Sequence, residues 1–306
     1  MKILSINIRR FKVGGKVCWF RSLVSNANPI VAAIQETKSH GVNDSWVENL
    51  WGSVNIGYVE KQAVGRSGGL LLIWDSNIFV VNEAVEGEFF IAIKGKLTGY
   101  DTEIMVVNVY GPHSDNKKRH FWDSLDSLLR FNNVAWILCG DFNEVRHIDE
   151  RQNYEFKERR ASMFNDFIER NGLMEIPLLG KKFTRISDDG LKFSKLGRFL
   201  VSDNFCQMWS DLSSIPLDRK LTGHSPILLK NGHTDFNSKP FRVFDSWFDE
   251  VGVDKIIELA WKTKVGAHRP DTIFRLKLKK VKESLKVWSG ETFGKLDLEI
   301  KELMEL

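Results

Sequence analysis

Cysteine is scarce in this 306-residue sequence, and long apolar runs are missing. The three cysteines, Cys18, Cys139 and Cys206, are odd in number and far apart, so neither a disulfide framework nor a zinc site is suggested. No stretch approaches the roughly 18 uninterrupted apolar residues of a membrane span. The first residues follow a strand pattern and show no cleavable signal. We therefore expect an intracellular protein with buried thiols and no membrane partner.

The excess of charge of one sign is also small, because 44 Lys and Arg stand against 40 Asp and Glu and give a net charge of +4. This balance permits a polyanionic partner without requiring one. Residues 262–290 concentrate the excess, with nine basic and two acidic residues and a local net charge of +7. A local excess of this kind can mark a nucleic-acid-facing segment, although a solvated helix face is commoner.

The spacing of apolar residues along the chain changes near residue 232. Before it, β-rich runs alternate with a few amphipathic helices, which is typical of an α/β domain. Residues 233–240 form a turn-rich stretch, and the apolar residues beyond it recur at helical intervals. We therefore predict a domain over residues 1–232, and a linker with a helical tail over residues 233–306. The apolar stripe of the tail has no evident partner within its own length.

Residues 134–143 carry the most chemical information. They form an apolar run that ends in Gly140, Asp141, Phe142 and Asn143, as expected of a strand buried on both faces. Because side chains alternate, Asp141 and Asn143 should share one side while Phe142 enters the core. A carboxylate beside a carboxamide suits a divalent cation, a phosphate or a polarised water. Taken alone, the motif is more often a simple turn.

Polar side chains also stand at the ends of other predicted strands. They are Asn7, Glu36, Tyr110 and His224. Each has an ordinary structural explanation, such as a strand edge, a solvated acid, a core aromatic or a loop cap. Together with Asp141 and Asn143 they predict an active site, because a hard cation needs oxygen ligands and phosphodiester cleavage needs a positioned water and charge stabilisation.

Seven short motifs occur in a fixed order along the chain. They are S-I-N-I (5–8), Q-E-T (35–37), S-G-G-L (67–70), N-V-Y-G-P (108–112), G-D-F-N (140–143), S-K-L-G-R-F-L-V-S (194–202) and G-H-S-P-I (223–227). The ordered set resembles the endonuclease/exonuclease/phosphatase superfamily. More narrowly, residues 1–232 resemble the apurinic/apyrimidinic-endonuclease-like domain at the front of plant LINE-type, non-LTR retrotransposon polyproteins. The tail, with K-P-F-R-V-F-D-S-W-F (239–248) and V-W-S-G-E-T-F-G (287–294), is similar to the segment that leads to the reverse transcriptase, which this chain does not include.

The resemblance implies a four-layer α-β-β-α sandwich of the DNase I type, with an appended C-terminal helical segment. It implies Mg²⁺ as cofactor, with Mn²⁺ as the alternative ion, bound chiefly by Glu36 with help from Asn7. Asp141 would orient and deprotonate the attacking water, and Asn143 would hold Asp141 and the phosphate. Tyr110 would stabilise the pentavalent transition state or the leaving group, and His224 would bond a non-bridging oxygen.

The resemblance also implies DNA as the partner, together with RNA of the element and a reverse transcriptase domain in a longer polyprotein. A monomer located in the nucleus is expected. Five residues near the predicted site are assigned to the substrate: Ser67, Gly68, Lys117, Lys118 and Arg146.

Two positions depart from the family's pattern, and both remove a carboxylate. Gly197 stands where the family usually has Asp in Leu-Asp-Arg, and Gly223 where it has Asp in Ser-Asp-His. Loss of such supporting groups typically weakens metal binding or activity by about 10- to 100-fold. We therefore predict an impaired site, which Gly197→Asp and Gly223→Asp should improve. Alternatively, water or a neighbouring acid, Asp203 or Asp218, replaces the missing groups.

Three functions compete at this point. The first is a Mg²⁺-dependent endonuclease that nicks target DNA. The second is a catalytically weak nucleic-acid-binding remnant that uses basic residues near the site and in the tail. The third is a phosphatase acting on a phosphorylated lipid or inositol, because one fold hosts several chemistries.

Overall fold

The computed structural model describes residues 1–11, 14–39, 41–63, 68–130, 134–209, 211–232, 247–248, 250, 252–266 and 270–304, without the side chains of residue 271 and of residues from 293 onward. The chain divides into two compact units, Met1–His233 and Thr234–Leu306.

A six-stranded mixed sheet forms one half of the first unit. From edge to edge its strands are β14 (Leu212–Pro216), β15 (Ile227–Asn231), β1 (Lys2–Asn7), β2 (Val31–Gln35), β4 (Leu70–Asp75) and β3 (Ile56–Lys61). Strand β1 lies parallel to β2 and antiparallel to β15. The first strand of the chain is therefore held between an early strand and the last strand of the unit.

A second six-stranded sheet forms the other half. Its order is β10 (Leu173–Glu175), β13 (Gly197–Ser202), β8 (Ala135–Asp141), β7 (Glu103–Tyr110), β6 (Phe90–Leu97) and β5 (Phe79–Glu86). Strands β7 and β8 are parallel, whereas β5, β6 and β7 form an antiparallel meander. A small third sheet has the order β11 (Arg185–Ile186), β12 (Phe193–Ser194) and β9 (Arg151–Gln152).

The two large sheets pack face to face through alternating apolar side chains. Leu72 of the first sheet and Ile93 and Ile137 of the second belong to one buried cluster. Because the opposite faces of the strands are also apolar, each sheet needs a second cover. The helices provide this second cover. Because both faces of these strands are buried, apolar residues occupy successive positions along them.

Helices cover the outer face of each sheet. In chain order they are α1 (Lys16–Ala27), α2 (Asp44–Trp51), α3 (Asp115–Arg130) and α4 (Glu158–Arg170). The short α5 (Asp203–Met208) instead places Phe205 in the cluster between the sheets. Phe20 of α1 and Leu50 of α2 pack on the first sheet. Phe121 of α3 and Phe164 of α4 pack on the second. The predicted four-layer α-β-β-α sandwich is confirmed.

The second unit contains α6 (Val253–Lys262) and α7 (Pro270–Met304), which we call the helical hairpin. Val253 and Leu285 are buried against each other's helix, together with Trp247, and Val281 packs on this cluster. The apolar stripe of the tail therefore has a partner inside its own unit, contrary to expectation. The sequence pattern did not show this partner because which faces of α6 and α7 meet depends on how the two helices pack, and no spacing within either helix encodes it.

The described helices include none that combines the length and the apolar character needed to cross a bilayer. Of the three cysteines, Cys139 is buried, Cys206 is half-buried and Cys18 is exposed. The expectation of buried thiols therefore holds fully for Cys139 alone.

Candidate active site

Four of the predicted site residues stand at ends of central strands. Asn7 ends β1 and Glu36 follows β2 in the first sheet, while Tyr110 ends β7 and Asp141 ends β8 in the second. The amide nitrogen Nδ2 of Asn7 donates to Oε1 of Glu36 at 2.9 Å and to Oδ2 of Asp141 at 2.8 Å. The structure thus brings carboxylates from both sheets onto one amide.

A buried pair of amides joins the two sheets directly beneath these residues. Nε2 of Gln35, in β2, donates to Oδ1 of Asn108, in β7, at 2.7 Å. Nδ2 of Asn108 in turn donates to two main-chain carbonyls of the first sheet, at 3.0 and 3.1 Å. Because Glu36 and Tyr110 follow closely in the same strands, this amide clamp fixes the separation of the two halves of the site.

The loop after β2 holds Glu36 in a rarely populated backbone conformation. Its φ is +52°, in the left-handed region that non-glycine residues seldom adopt. The main-chain N–H of Arg10 donates to the Glu36 carbonyl at 2.7 Å, and that of Thr37 donates to Gly69 at 3.1 Å. Gly69 has φ +85°, and a Cβ there would lie 2.3 Å from Oγ1 of Thr37. Strain of this kind persists where surrounding bonds fix it, and it clusters at functional sites.

Asp141 accepts hydrogen bonds that fix both of its carboxylate oxygens. Oδ1 accepts the main-chain N–H of Asn143 at 3.0 Å, and Oδ2 accepts Asn7. Nδ1 of His224 lies 3.5 Å from Oδ2. The side chain of Asn143 donates to the carbonyl of Gly111 at 2.7 Å, so it is anchored to the loop after β7. The carboxylate is therefore oriented from three directions.

The end of β8 can turn in this way because of Gly140 and Phe142. Gly140 has φ +141°, and a Cβ there would lie 2.0 Å from the carbonyl oxygen of Val109, so no other residue fits. Phe142 is buried and stacks on Phe164 and Trp122, with ring centroids 5.3 and 6.4 Å away. The predicted alternation of Asp141 and Phe142 is confirmed.

Burial lowers the pKa of His224 below its ordinary value. The charges of Asp141 and Glu36 oppose this shift, while Arg185 and Arg9 add to it. Since the ordinary pKa is already below 7, His224 is a neutral imidazole at pH 7. It can then donate a hydrogen bond but brings no positive charge to the site.

Burial raises the pKa of the Tyr110 phenol well above its ordinary value, and the charges of Glu36 and Asp141 raise it further. The hydroxyl therefore stays protonated at neutral and mildly alkaline pH. Its oxygen lies 3.4 Å from Nε2 of His113, a residue that none of the sequence motifs includes. Tyr110 is suited to donate a hydrogen bond to a developing negative charge.

The two glycines at acidic positions differ in the space around them. Gly197 pairs with Asp141 across β13 and β8, and a Cβ there would meet only ordinary contacts, at 3.6 Å from Ile227 and Thr184. A Cβ at Gly223 would lie 2.9 Å from the carbonyl oxygen of Ile186. A carboxylate is thus accommodated at residue 197 but not at residue 223 without a shift of the main chain.

Neither acid suggested as a substitute reaches the site. Asp203 begins α5 at the far end of β13, about 20 Å along the strand from Gly197 at 3.3 Å per residue. Asp218 pairs with Lys181 at 3.5 Å. Instead, Asp188 lies beside Gly223, with its Oδ1 3.6 Å from where a Cβ would be.

Asp188 is held by Arg9, a residue that the sequence motifs overlooked. Nη1 of Arg9 lies 2.6 Å from Oδ1 of Asp188. Arg9 and Arg10 both have positive φ, +47° and +79°, directly after the strand that ends in Asn7. Two consecutive cations after that strand were the available signal for a basic wall of the site.

Two cavities adjoin the site. One, of about 560 Å³, has six cations among its twelve lining residues. The cations are Arg9, Arg10, Lys16, Lys38, Arg219 and Lys220, and the others include Asp188, Thr222 and Gly223. The other, of about 440 Å³, borders Tyr110 and includes Gly68 and Lys117 in its wall. Lys117 also pairs with Glu88 at 3.1 Å. Ser67, also assigned to the substrate, lies outside the described residues.

Lys118 and Arg146 support the site from within the fold. Lys118 is 1% exposed, and its ammonium donates to the carbonyls of Phe142 and Asn143 at 3.1 and 2.9 Å. Burial lowers its pKa to about 8. Arg146 pairs with Glu175 at 3.0 Å. Because the Lys118 ammonium is buried and bonded inside the protein, we exclude it from the proposed substrate contacts, whereas the half-buried Arg146 stays among them.

A buried ion-pair cluster lies at the next residue of β13. Arg198 is 2% exposed and donates to Glu150 at 2.9 Å and to Glu175 at 2.8 Å. Burial opposes ionisation of Glu150, but hydrogen bonds and charge from Arg198 lower its pKa to about 2. Strand β13, which pairs with the strand of Asp141, is thus held in place by ion pairs that are largely buried.

Glu36 and Asp141 form a donor set that fits Mg²⁺. No three His, Cys, Asp or Glu side chains of the described residues form a metal cluster. Mg²⁺ does not need one, because it takes one or two carboxylates and completes its shell with water and phosphate oxygens. Asn7 turns its NH₂ group toward both carboxylates, while its Oδ1 accepts the N–H of Arg9 at 3.1 Å. To act as a ligand, this amide would have to turn over.

Comparison with known proteins gives a family and a fold. Residues 4–219 match the endonuclease/exonuclease/phosphatase family. No curated protein matches the sequence significantly.

Solved structures of similar fold include AP endonuclease LMAP from Leishmania major, with 16% identity, a TM-score of 0.62, and coverage of 76% of this chain and 87% of that one. The 3′ phosphatase NExo from Neisseria, solved with a product DNA hairpin, has 14% identity and a TM-score of 0.61, and the match covers 76% of this chain and 100% of NExo. The endonuclease domain of TRAS1, a telomere-specific non-LTR retrotransposon, has 11% identity, a TM-score of 0.55, and coverage of 74% and 96%. At these identities the likeness concerns the fold.

Proposed function

Since the chain belongs to the endonuclease/exonuclease/phosphatase family, we propose that it is a Mg²⁺-dependent phosphodiesterase that nicks DNA. The observation that carries the proposal is the pair of carboxylates, Glu36 and Asp141, which two different sheets deliver to the amide of Asn7. Oxygen donors held in this way beside a neutral imidazole and a neutral phenol match the needs of phosphodiester hydrolysis.

Asp141 acts as the general base. Its carboxylate, fixed by Asn143 and Asn7, holds a water and takes its proton as the oxygen attacks phosphorus. The new P–O bond forms in line with the bond to the leaving oxygen, which breaks. Orientation of the carboxylate by three neighbours keeps the water in that line.

Tyr110 and His224 stabilise the charge that develops. The protonated phenol of Tyr110 donates to the leaving oxygen or to the pentavalent phosphorus group, and the neutral His224 donates to a non-bridging oxygen. Mg²⁺ would be held by Glu36 and would neutralise negative charge on the phosphate. If the Asn7 amide turned to add its oxygen to the ion, it would release Asp141, which the N–H of Asn143 and the nearby His224 would still orient. Asn143 completes the set by holding Asp141 and the phosphate.

The two cavities support a polymeric substrate over a small phosphate ester. One adjoins His224 through Thr222 and Gly223, and the other adjoins Tyr110. A DNA strand whose scissile phosphate meets Asp141 would extend into both, with flanking phosphates near Arg10 and Lys117. The NExo structure contains a DNA product, which is consistent with nucleic acid as the ligand of this fold.

We extend the proposal to the origin of the chain. The ordered motifs and the similarity in fold to the TRAS1 endonuclease domain support a retrotransposon endonuclease, with residues 1–232 as the catalytic domain. Under this proposal the source is a plant LINE-type element, the protein is a nuclear monomer, and residues 233–306 lead toward a reverse transcriptase.

A catalytically weak DNA-binding protein is the second candidate. It is favoured by Gly197 and Gly223, which stand where the resemblance places carboxylates, and by the burial that lowers the pKa of His224. In this case the chain would bind DNA in a salt-sensitive manner and turn over slowly.

The test is nicking of supercoiled plasmid by the purified chain with Mg²⁺, with EDTA, and with Mn²⁺ in place of Mg²⁺. We expect conversion to the open circle with either ion, and loss of it in EDTA and in Glu36→Ala. Salt-sensitive binding of DNA without nicking would favour the second candidate. Release of phosphate from inositol phosphates, with the plasmid intact, would contradict both.

A carboxylate placed at residue 197 should increase activity. In Gly197→Asp the new residue pairs with Asp141 across the two strands, and its Cβ meets only Ile227 and Thr184, at 3.6 Å. The added carboxylate restores support whose loss typically costs about 10- to 100-fold in metal affinity or activity. We expect faster Mg²⁺-dependent nicking and a lower Mg²⁺ concentration at half-maximal rate.

Gly223→Asp serves as the matched comparison. Its Cβ would contact the Ile186 carbonyl at 2.9 Å, so we expect a stability loss of about 1–3 kcal/mol and no gain in rate. Equal or slower nicking by Gly197→Asp, in a folded protein, would show that the wild-type site is not limited by the missing carboxylate.

A further inference from the structure

One face of the helical hairpin carries a row of cations. Arg275, Lys279, Lys282 and Lys286 of α7 are all exposed, and we call them the basic stripe. Their spacing of four, three and four residues keeps them within a sector of about 60° and over about 17 Å of helix. The row is therefore straight and continuous.

The basic stripe differs from an ordinary solvated face in lacking acidic partners. Elsewhere on the hairpin, Lys262 pairs with Glu258 and Lys280 pairs with Glu283. Within the part of the hairpin whose side chains are described, no acid lies within ion-pair distance of the stripe. Like charges three and four residues apart weaken a helix, and a bound polyanion would relieve that repulsion.

Exposed aromatic rings lie at the end of the hairpin where the stripe begins. Trp261 of α6 and Phe274 of α7 meet edge to face, with ring centroids 5.9 Å apart, and are 38% and 56% exposed. Nζ of Lys277 lies 5.4 Å from the Trp261 ring centroid. Phe274 lies one residue before the first cation of the stripe and about 100° around the helix from it, so the rings flank the stripe on the side that faces α6. Aromatic faces beside cations are the combination that proteins use to hold single strands, since every base can stack.

We propose that the helical hairpin is a binding site for single-stranded nucleic acid, separate from the active site. Phosphates follow the basic stripe, and an unpaired base stacks on the Phe274 and Trp261 rings. An anionic membrane surface is a poorer match, because a helix lying on a bilayer needs a free apolar face. In α7 Val281 and Leu285 of that face are packed against α6, and of the described apolar residues beside them only Phe274 and Leu278 are exposed.

The test measures binding of the full chain to a fluorescent oligothymidylate by anisotropy, across a range of salt concentrations. Every protein carries Glu36→Ala, so that cleavage does not interfere. In the stripe variant, Arg275, Lys279, Lys282 and Lys286 are all replaced by Gln. In the control variant, four exposed cations off the stripe are replaced by Gln: Lys255, Lys262, Lys264 and Lys280. Both lose the same charge, and Gln preserves helix formation, which circular dichroism verifies.

We expect the stripe variant to bind about tenfold or more weakly than the control. Its slope of log affinity against log salt should be shallower by about 3, as each lost phosphate contact removes about 0.7. Phe274→Leu should weaken binding by about fivefold or more with an unchanged salt slope, because stacking is not a charge effect.

Equal binding by the stripe and control variants would overturn the proposal, and so would equal affinity of the hairpin for duplex and single strand. Stripe-dependent binding to phosphatidylserine vesicles, without binding to the oligothymidylate, would also overturn it. The proposal does not rest on the nuclease function. Nicking that persists when the four stripe substitutions are made in a chain that keeps Glu36 leaves that function standing, and oligothymidylate binding that persists in Glu36→Ala leaves this one standing.

Discussion

Asp141→Asn should lower the rate of plasmid nicking by about 10²- to 10⁴-fold, the usual contribution of a general base. The substitution keeps the shape of the side chain and an oxygen that can accept the N–H of Asn143. It removes the negative charge that takes the proton from water. We therefore expect the loss in the chemical step, measured as the single-turnover rate at saturating protein, with DNA affinity unchanged or higher.

The control for this variant is Asp166→Asn, which removes the same charge from an exposed position of α4. It should leave the rate within about twofold of wild type, because it is remote from the site and surface charges are screened. Both variants are also measured in the Gly197→Asp background, so that slow wild-type turnover does not conceal the difference. Retention of more than a tenth of the parent rate by Asp141→Asn would assign the base to another group.

Arg198→Met should destabilise the first unit by about 3–5 kcal/mol. It removes the most buried cation of the cluster, and Glu150 and Glu175 then keep only the less buried Lys195, at 3.5 and 2.6 Å, and for Glu175 also Arg146 at 3.0 Å. Removing one partner of a buried ion pair is much more costly than replacing both. The free energy of unfolding, measured by urea titration at pH 7, reports the change. Below pH 4.5 the difference should narrow, because Glu150 has a pKa of about 2 in the wild type and its stabilising effect disappears as pH falls toward that value.

Arg159→Met is the matched control, since Arg159 is exposed on α4. It should change the free energy of unfolding by no more than about 0.5 kcal/mol. Adding Glu150→Gln and Glu175→Gln to Arg198→Met should restore part of the loss, because neutral amides are easier to bury than charges. A change below about 1 kcal/mol for Arg198→Met alone would mean that water or Lys195 satisfies the carboxylates.

The central strands and their burial could be predicted from the sequence, because the run of apolar residues that identifies a buried strand lies within the strand itself. The apolar pattern of residues 103–110 predicts a strand, and β7 has the same bounds. The helical spacing of apolar residues over 117–129 predicts a helix, and α3 begins two residues earlier and ends one residue later. Helix α2 and strand β3 were missed. The six residues of β3 are half-buried rather than buried, so they lack the continuous apolar run that identified the other strands. Their pairing with β4 is a tertiary effect.

The site could be predicted only as a set of residue types at strand ends. That Asn7 joins Glu36 to Asp141 depends on how two sheets pack, and no spacing within the chain encodes it. For the same reason Lys118 was misplaced near the substrate, because a lysine in a helix near the site gives no sign that its ammonium is buried under the Asn143 loop. The difference between Gly197 and Gly223 likewise depends on neighbours from distant strands.

The position of β1 between β2 and β15 has a consequence for the synthesis of the protein. Strand β15 spans Ile227–Asn231, and His224 lies three residues before it, so the first sheet and the candidate active site both stay incomplete until almost the whole unit has left the ribosome. A nascent chain of 200 residues would hold Glu36 and Asp141 but leave an edge of β1 open to other strands. Pairings this distant in sequence form slowly. Nuclease activity should therefore appear all at once on completion of folding, and truncation before residue 227 should yield aggregation instead of a partly active enzyme.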